Sequence, residues 1–165
     1  MTVEARRARG GYLTERFDPA MAAQRTAEAV WEHDLAKGSG HVKGISGGLP
    51  DTAVSWAART EASGGKTSPE ELLAAAHASC YSMALSAGLG RAGTPPDRLH
   101  VRSTVTFDKV GDGWKVTKSE LVVRGKVPGI SAEKFSEAAK AAGDGCPISG
   151  AIRNNVAISV SATLE

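Results

Sequence analysis

From residue 72 to about residue 90 the chain is almost entirely Ala, Leu, Ser and Met and carries no full charge. A helix without a charged face has no side to turn towards water, so it is normally buried on more than one side. The start of this helix is densely signalled by Thr67-Ser68-Pro69-Glu70-Glu71. Ser68 suits the N-cap, Pro69 the first helical position and Glu71 the third position of a capping box. The segment is apolar on nearly every face, more than one small sheet can cover. Leaving such a face wet costs about 25 cal/mol per Å², which predicts an obligate dimer. Any fold for this chain must be built around that helix.

The flanking segments supply strands. Ala27, Ala29 and Trp31 alternate with polar or small residues, and Lys37-Gly38-Ser39-Gly40 breaks the run. A second strand is expected over 41–46, a turn at Gly47-Gly48-Leu49-Pro50-Asp51, and a third strand over 53–60. Together they predict a three-stranded antiparallel meander. After the central helix, Gly93 and Pro95-Pro96 mark a connection. A strand over 99–108 then places Val101, Ser103, Val105 and Phe107 on one face. Val110-Gly111-Asp112-Gly113 turns it into a partner strand from 114 to about 127. Ser131 opens a second helix over 132–142, with Gly143 expected as its stop. Asp144-Gly145-Cys146-Pro147-Ile148 leads into a short helix, and residues 156–164 alternate as a last strand. The order βββα then ββααβ predicts an α+β class. Residues 1–23 are mixed and basic with no sustained period, so they read as a dispensable extension before a single domain over 24–165.

Composition narrows function. The net charge of +2 and the absence of any long block of like charge give no argument for nucleic acid. Arg6-Arg7-Ala8-Arg9 reads as a solvated tail. No run of eighteen uninterrupted apolar residues occurs, so no membrane span is expected. The first residues lack the apolar core of a signal peptide, which predicts a cytoplasmic protein. Thiols stay reduced there, so two cysteines are poor candidates for a structural staple. A redox pair, two unrelated buried thiols or metal ligands remain, and composition alone favours the unrelated thiols. The Gly-rich turns carry no phosphate-binding motif and read simply as turns.

The two cysteines have contrasting settings. Cys80 lies about three turns into the apolar helix, where a small core thiol is the ordinary reading. Cys146 lies at the mouth of a short helix, where unpaired N–H groups and the dipole favour a thiolate. His77 is three residues before Cys80 and so shares a helical face with it. It can serve as a base, as a metal ligand or as a packed core histidine. Zinc needs a denser ligand set than one His-x-x-Cys and a distant Cys, so the core role is favoured.

The run from Ser68 to Leu85, with Glu70-Glu71-Leu72-Leu73 and His77-Ala78-Ser79-Cys80, closely resembles the central-helix motif of the OsmC/Ohr family. Gly145-Cys146-Pro147-Ile148-Ser149 resembles its second cysteine motif. Trp31-Glu32-His33-Asp34-Leu35, Gly38-Ser39-Gly40 and Val127-Pro128-Gly129-Ile130 match as well, so the resemblance runs from about Gln24 to the end. His77 is similar to the OsmC subgroup rather than the Ohr one.

The resemblance implies an intertwined homodimer, with antiparallel sheets wrapped around long central helices. It implies a peroxidase of organic hydroperoxides, and of hydrogen peroxide less well, in which Cys80 attacks and Cys146 resolves. The sulfenic acid formed on the first thiol is protected by condensing with the second. It assigns Glu70 to the site and, by position, Arg59 in Ala57-Ala58-Arg59-Thr60, where Thr60 replaces a common aromatic. A guanidinium beside sulfur stabilises thiolate and orients peroxide oxygens. On their own, Glu70 suits any helix start and Arg59 any solvated strand end. The resemblance implies no metal, haem or flavin, and an external dithiol as reductant, a lipoyl-bearing protein among the candidates. The competing reading is a non-enzymatic dimer that binds an apolar ligand in its interface groove. Glu70 and Cys80 are ten residues apart on one expected helix, roughly 15 Å along its axis. Glu70 is therefore expected to serve the Cys80 of the partner chain.

Overall fold

A computed structural model describes residues 22–165. Most of the expected extension, residues 1–21, lies outside the described residues. The described residues form two separate three-stranded sheets and four helices. The first sheet is the expected meander, β1 (Ala27–Glu32), β2 (Ser39–Gly44) and β3 (Thr52–Val54), antiparallel in the order β1-β2-β3. The third strand stops far short of the expected residue 60. Ser55 leaves extended backbone, and its hydroxyl accepts from the Ala58 N–H at 3.1 Å, capping a short helix α1 (Trp56–Thr60). Ala57 and Ala58 favour that helix, so a good cap followed by good helix formers overrides strand continuation. Arg59 thus belongs to a helix, not to a strand end.

Helix α2 (Pro69–Arg91) starts where the sequence predicts. The Ser68 hydroxyl accepts from the Glu71 N–H at 3.1 Å. The capping box is only half closed, because the Glu71 carboxylate accepts from the Thr67 hydroxyl at 2.7 Å. By length and composition alone, an eighteen-residue window of α2, with mean hydropathy 1.3, is apolar enough to match a span. Its buried side chains, His77, Tyr81, Leu85 and Leu89, instead line one stripe that meets the second sheet and helix α3.

That second sheet comprises β4 (Arg98–Val110), β5 (Gly113–Lys126) and β6 (Ala157–Leu164). β4 and β5 form the expected hairpin around Gly111, whose φ of 62° suits a tight turn. β6 pairs with β5 in parallel, so this sheet is mixed rather than wholly antiparallel. The reason is the crossover: α3 (Ala132–Gly145) and α4 (Pro147–Ile152) carry the chain back to the end from which β5 began. Helix α3 outruns its expected stop, and Gly143 sits buried inside it. A Cβ there would stand 3.0 Å from Val160 Cγ2, so this glycine serves close helix–sheet packing. Tyr81, Leu85, Leu89, Leu121, Val123, Phe135 and Ala139 form the core between α2, α3 and the second sheet.

Candidate active site

Two pairs of functional side chains come together, at opposite ends of the first part of α2. Arg59 and Glu70 make the first. Arg59 Nε donates to both Glu70 oxygens at 3.0 and 3.1 Å, and an Arg59 terminal nitrogen reaches Oε1 at 2.8 Å. The Glu70 side chain is only 8% exposed, so the ion pair and its forked geometry are what make its burial tolerable. The guanidinium lies 4.1 Å from the centre of the Phe107 ring and 5.8 Å from that of Trp56. Trp56, Phe107 and Trp114 pack on one another, so aromatic faces hold Arg59 from the other side. A cavity of about 390 Å³ opens beside the pair, also walled by Lys66, Glu71 and Ser103.

Cys80 and Cys146 make the second. Both are free thiols. Cys80 is half-buried and walls an apolar groove of about 540 Å³ between α2 and α3, with Met83, Ala87, Arg91, Ala138 and Pro147. Cys146 is fully buried behind it as the N-cap of α4. Burial alone would raise the Cys146 pKa. The Ser149 N–H, the Cys80 thiol, the Ser149 hydroxyl and the Ile148 N–H more than offset this, and leave Cys146 below the ordinary thiol range. Cys80 moves the other way, raised by burial and by Cys146 despite the Ile148 N–H. The two sulfurs therefore shift in opposite directions, Cys80 up and Cys146 down. Among the described residues no cation contributes to Cys80.

His77 is fully buried, as the core reading expected, yet it is not inert packing. Its Nδ1 lies 2.7 Å from the Ser119 hydroxyl and its Nε2 2.8 Å from the Ser149 hydroxyl. Burial lowers its pKa, so it is held neutral. Sequence reading missed Ser119, Ser149, Trp56 and Phe107. Ser149 had one available signal, its place in the second cysteine motif; the other three had none.

The four expected residues thus appear as two twos. α2 is unbroken from Pro69 to Arg91, so Glu70 and Cys80 stand ten residues apart on one rigid rod, roughly 15 Å along its axis. Within one chain the Arg59–Glu70 pair does not reach Cys80.

Residues 62–161 match the model of the family described as OsmC-like protein. The chain is 38% identical over 138 residues to peroxiredoxin OsmC of Escherichia coli, an alignment covering 84% of this chain and 96% of the relative. The chain belongs to the OsmC family. Among solved structures, OhrB of Bacillus subtilis, an organic hydroperoxide resistance protein, aligns with TM-score 0.65 and 28% identity, over 84% of this chain and 98% of that one. An OsmC organic hydroperoxide resistance protein of Legionella pneumophila shares the fold with TM-score 0.65 and 24% identity, over 86% and 99% of the two chains. For this OsmC-family chain the two cysteines therefore sit within a fold shared with proteins named as organic hydroperoxide resistance proteins.

Proposed function

We propose that this thiol-dependent peroxidase reduces organic hydroperoxides with Cys80 as the attacking thiol and Cys146 as the resolving one. The observation that carries the assignment is positional. Cys80 alone of the two faces the open groove, and Cys146 stands buried behind it. A Cys80 thiolate attacks the terminal peroxide oxygen; the S–O bond forms, the O–O bond breaks and the alkoxide leaves as an alcohol after taking a proton. Cys146 then attacks the sulfenic sulfur, an S–S bond forms and the oxygen departs as water. The apolar walls of the groove suit an alkyl chain better than hydrogen peroxide alone. An external dithiol, such as a lipoyl group, resets the disulfide by exchange.

Burial raises the Cys80 pKa in the single chain, so a cation brought beside it would favour the thiolate, and here the dimer enters the proposal. The first sheet exposes Val30, Trp31 and Leu35, and α2 exposes Met83. An intertwined homodimer would cover these surfaces and carry the Arg59–Glu70 pair of one chain to the Cys80 of the other. Beside sulfur, Arg59 would favour the thiolate and Glu70 would hold the guanidinium in place.

Titrating free thiols before and after one equivalent of cumene hydroperoxide tests the chemistry. Rapid loss of both thiols in each chain is expected. Unchanged thiols would overturn the reading in favour of a dimeric module that binds an apolar ligand.

A further inference from the structure

Behind the two cysteines runs a row of buried hydroxyls and one imidazole that the peroxidase chemistry as written does not use. Ser103 Oγ lies 3.3 Å from Ser119 Oγ, Ser119 Oγ lies 2.7 Å from His77 Nδ1, and His77 Nε2 lies 2.8 Å from Ser149 Oγ. His77, Ser119 and Ser149 are fully buried. Ser149 is the third residue of α4, one turn on from Cys146 at its N-cap, and it is among the groups that lower the Cys146 pKa. At the far end, Ser103 lines the cavity that holds Arg59 and Glu70. The row therefore joins Cys146 on one side of α2 to a second, open cavity on the other.

We propose that Ser149, His77, Ser119 and Ser103 form a proton path that ionises Cys146 for the resolving step and delivers its proton to the Arg59–Glu70 cavity. This rests on Cys146 being the resolving thiol. Two states of opposite hydrogen-bond direction satisfy every member of the row. A hydroxyl has one hydrogen to give and a neutral imidazole has one donor and one acceptor nitrogen. In the first state the Cys146 S–H donates to Ser149, Ser149 to His77 Nε2, His77 Nδ1–H to Ser119, and Ser119 to Ser103. In the second every bond is reversed: Ser103 donates to Ser119, Ser119 to Nδ1, Nε2–H to Ser149, and Ser149 to a Cys146 thiolate. Passing from the first to the second moves one proton from sulfur to the Ser103 end and flips the tautomer of His77. Burial keeps the imidazole neutral, which is the form both states need.

The balance closes. Cys146 loses its proton along the path to solvent in the cavity. Its thiolate attacks the Cys80 sulfenic sulfur, the S–S bond forms, the S–O bond breaks, and the hydroxide that departs into solvent in the groove is balanced by the proton released to solvent, the two summing to one water. Cys80 is reduced from sulfenic acid and Cys146 oxidised from thiol. His77 acts through Ser149 and is a positioning residue; only Ser149 touches the reacting sulfur.

The test separates the two chemical steps. Stopped-flow mixing of the reduced full-length protein with cumene hydroperoxide gives peroxide consumption, and acid-quenched mass measurement gives disulfide formation. Acid–base catalysis typically contributes roughly 100-fold. Ser149→Ala, Ser119→Ala and His77→Gln are expected to slow disulfide formation by at least about tenfold while peroxide consumption in the first turnover stays within about twofold. Glutamine matters because it can donate to Ser149 but cannot pass a proton on by changing tautomer. A wild-type rate of disulfide formation in His77→Gln would overturn the path and leave a fixed hydrogen bond. If His77→Gln does not fold, Ser119→Ala breaks the row without touching the His77–Ser149 contact, and a wild-type rate there is equally fatal. Slowing of both steps by the same factor would also overturn the proposal, since a purely structural defect does that. As a second readout, the pH profile of Cys146 alkylation in Cys80→Ser should move upward when Ser149→Ala is added. Tyr81 and Cys80 are the titratable groups that face Cys146, and Tyr81, pushed well above the usual range, stays neutral throughout. Failure of the wild type to form any Cys80–Cys146 disulfide would instead defeat the peroxidase reading on which this rests.

Discussion

The two sheets of this molecule have three strands each and differ in almost everything else. The β4–β6 sheet has a layer against it: Leu121 and Val123 are fully buried under α2 and α3, and Phe135 fits against Gly125, where a Cβ would stand 2.4 Å from the ring. Among the described residues the β1–β3 sheet has none. Its strand β1 is exposed at every residue, and Val30 and Trp31 are 61% and 41% exposed. It touches the rest of the chain chiefly where Val54 bridges Thr67 and the Thr67 N–H donates to Ala53 at 2.9 Å. A sheet needs a second layer to be stable. The contrast teaches that, among the described residues, one sheet is packed by the chain's own helices and the other is left without a covering layer.

The chemistry divides as well: the cysteines lie in the helical body, between α2, α3 and α4, whereas Arg59, on the helix that follows the first sheet, pairs with Glu70 against Phe107 of β4. The largest expected effect is in the body. Cys80→Ser should abolish turnover, whereas Cys146→Ser should complete one fast reaction and then drift towards sulfinic acid under excess peroxide. Intact mass would record that drift, and normal turnover of Cys146→Ser with a dithiol would replace the resolving step by direct reduction.

A sharper form of the comparison asks whether the two halves of the site belong to different chains. Neither Cys80→Ser nor Glu70→Ala should work alone, but random mixing of the two should restore about a quarter of sites in a two-fold dimer. Half the dimers are then mixed, and one of their two sites is intact. No recovery would mean that each site is contained in one chain by a movement of α2.

If the first sheet is covered by a partner, folding and association are one process. Unfolding midpoints should rise with protein concentration, and Trp31→Ala should lower stability by about 1.5–3 kcal/mol, as for any large apolar side chain lost from a buried site. A compact folded monomer in sedimentation at low concentration would break the comparison outright.

A smaller effect isolates the body. The pKa of His77 is lowered by burial from an ordinary value of 6.5. The unfolded chain therefore binds a proton that the folded one refuses. Its contribution is intact above about pH 6.5 and is lost as pH falls towards the folded value, with a slope of up to about 1.4 kcal/mol per pH unit. Melting temperature should fall between pH 7 and 5, and less steeply in His77→Gln. An identical slope in the variant would assign the acid sensitivity to other groups. Smallest of all, deleting residues 1–20 should leave melting and activity almost unchanged, and a large drop in melting temperature would show that they pack somewhere.

Much of this was legible in the residues themselves, and the reason is range. Ser68-Pro69 capping α2, the uncharged run behind it, the meander breaks at Gly38 and Gly47-Gly48, and the dipole-favoured place of Cys146 depend on neighbours a few positions away. Sequence therefore determined the helix, the hairpins and both cysteines. Where a local rule competed with another local rule, as strand continuation did with the Ser55 cap, the reading of residues 55–60 went the wrong way. The tertiary structure alone decided the parallel placing of β6, the Arg59–Glu70 fork, the aromatic faces around Arg59 and the partners of His77. His77 meets Ser119 and Ser149, 42 and 72 positions away. No periodicity or propensity carries information over such separations. They are set by how α2 lies between the second sheet and the crossover helices, where a buried imidazole must find a donor and an acceptor or not be buried at all.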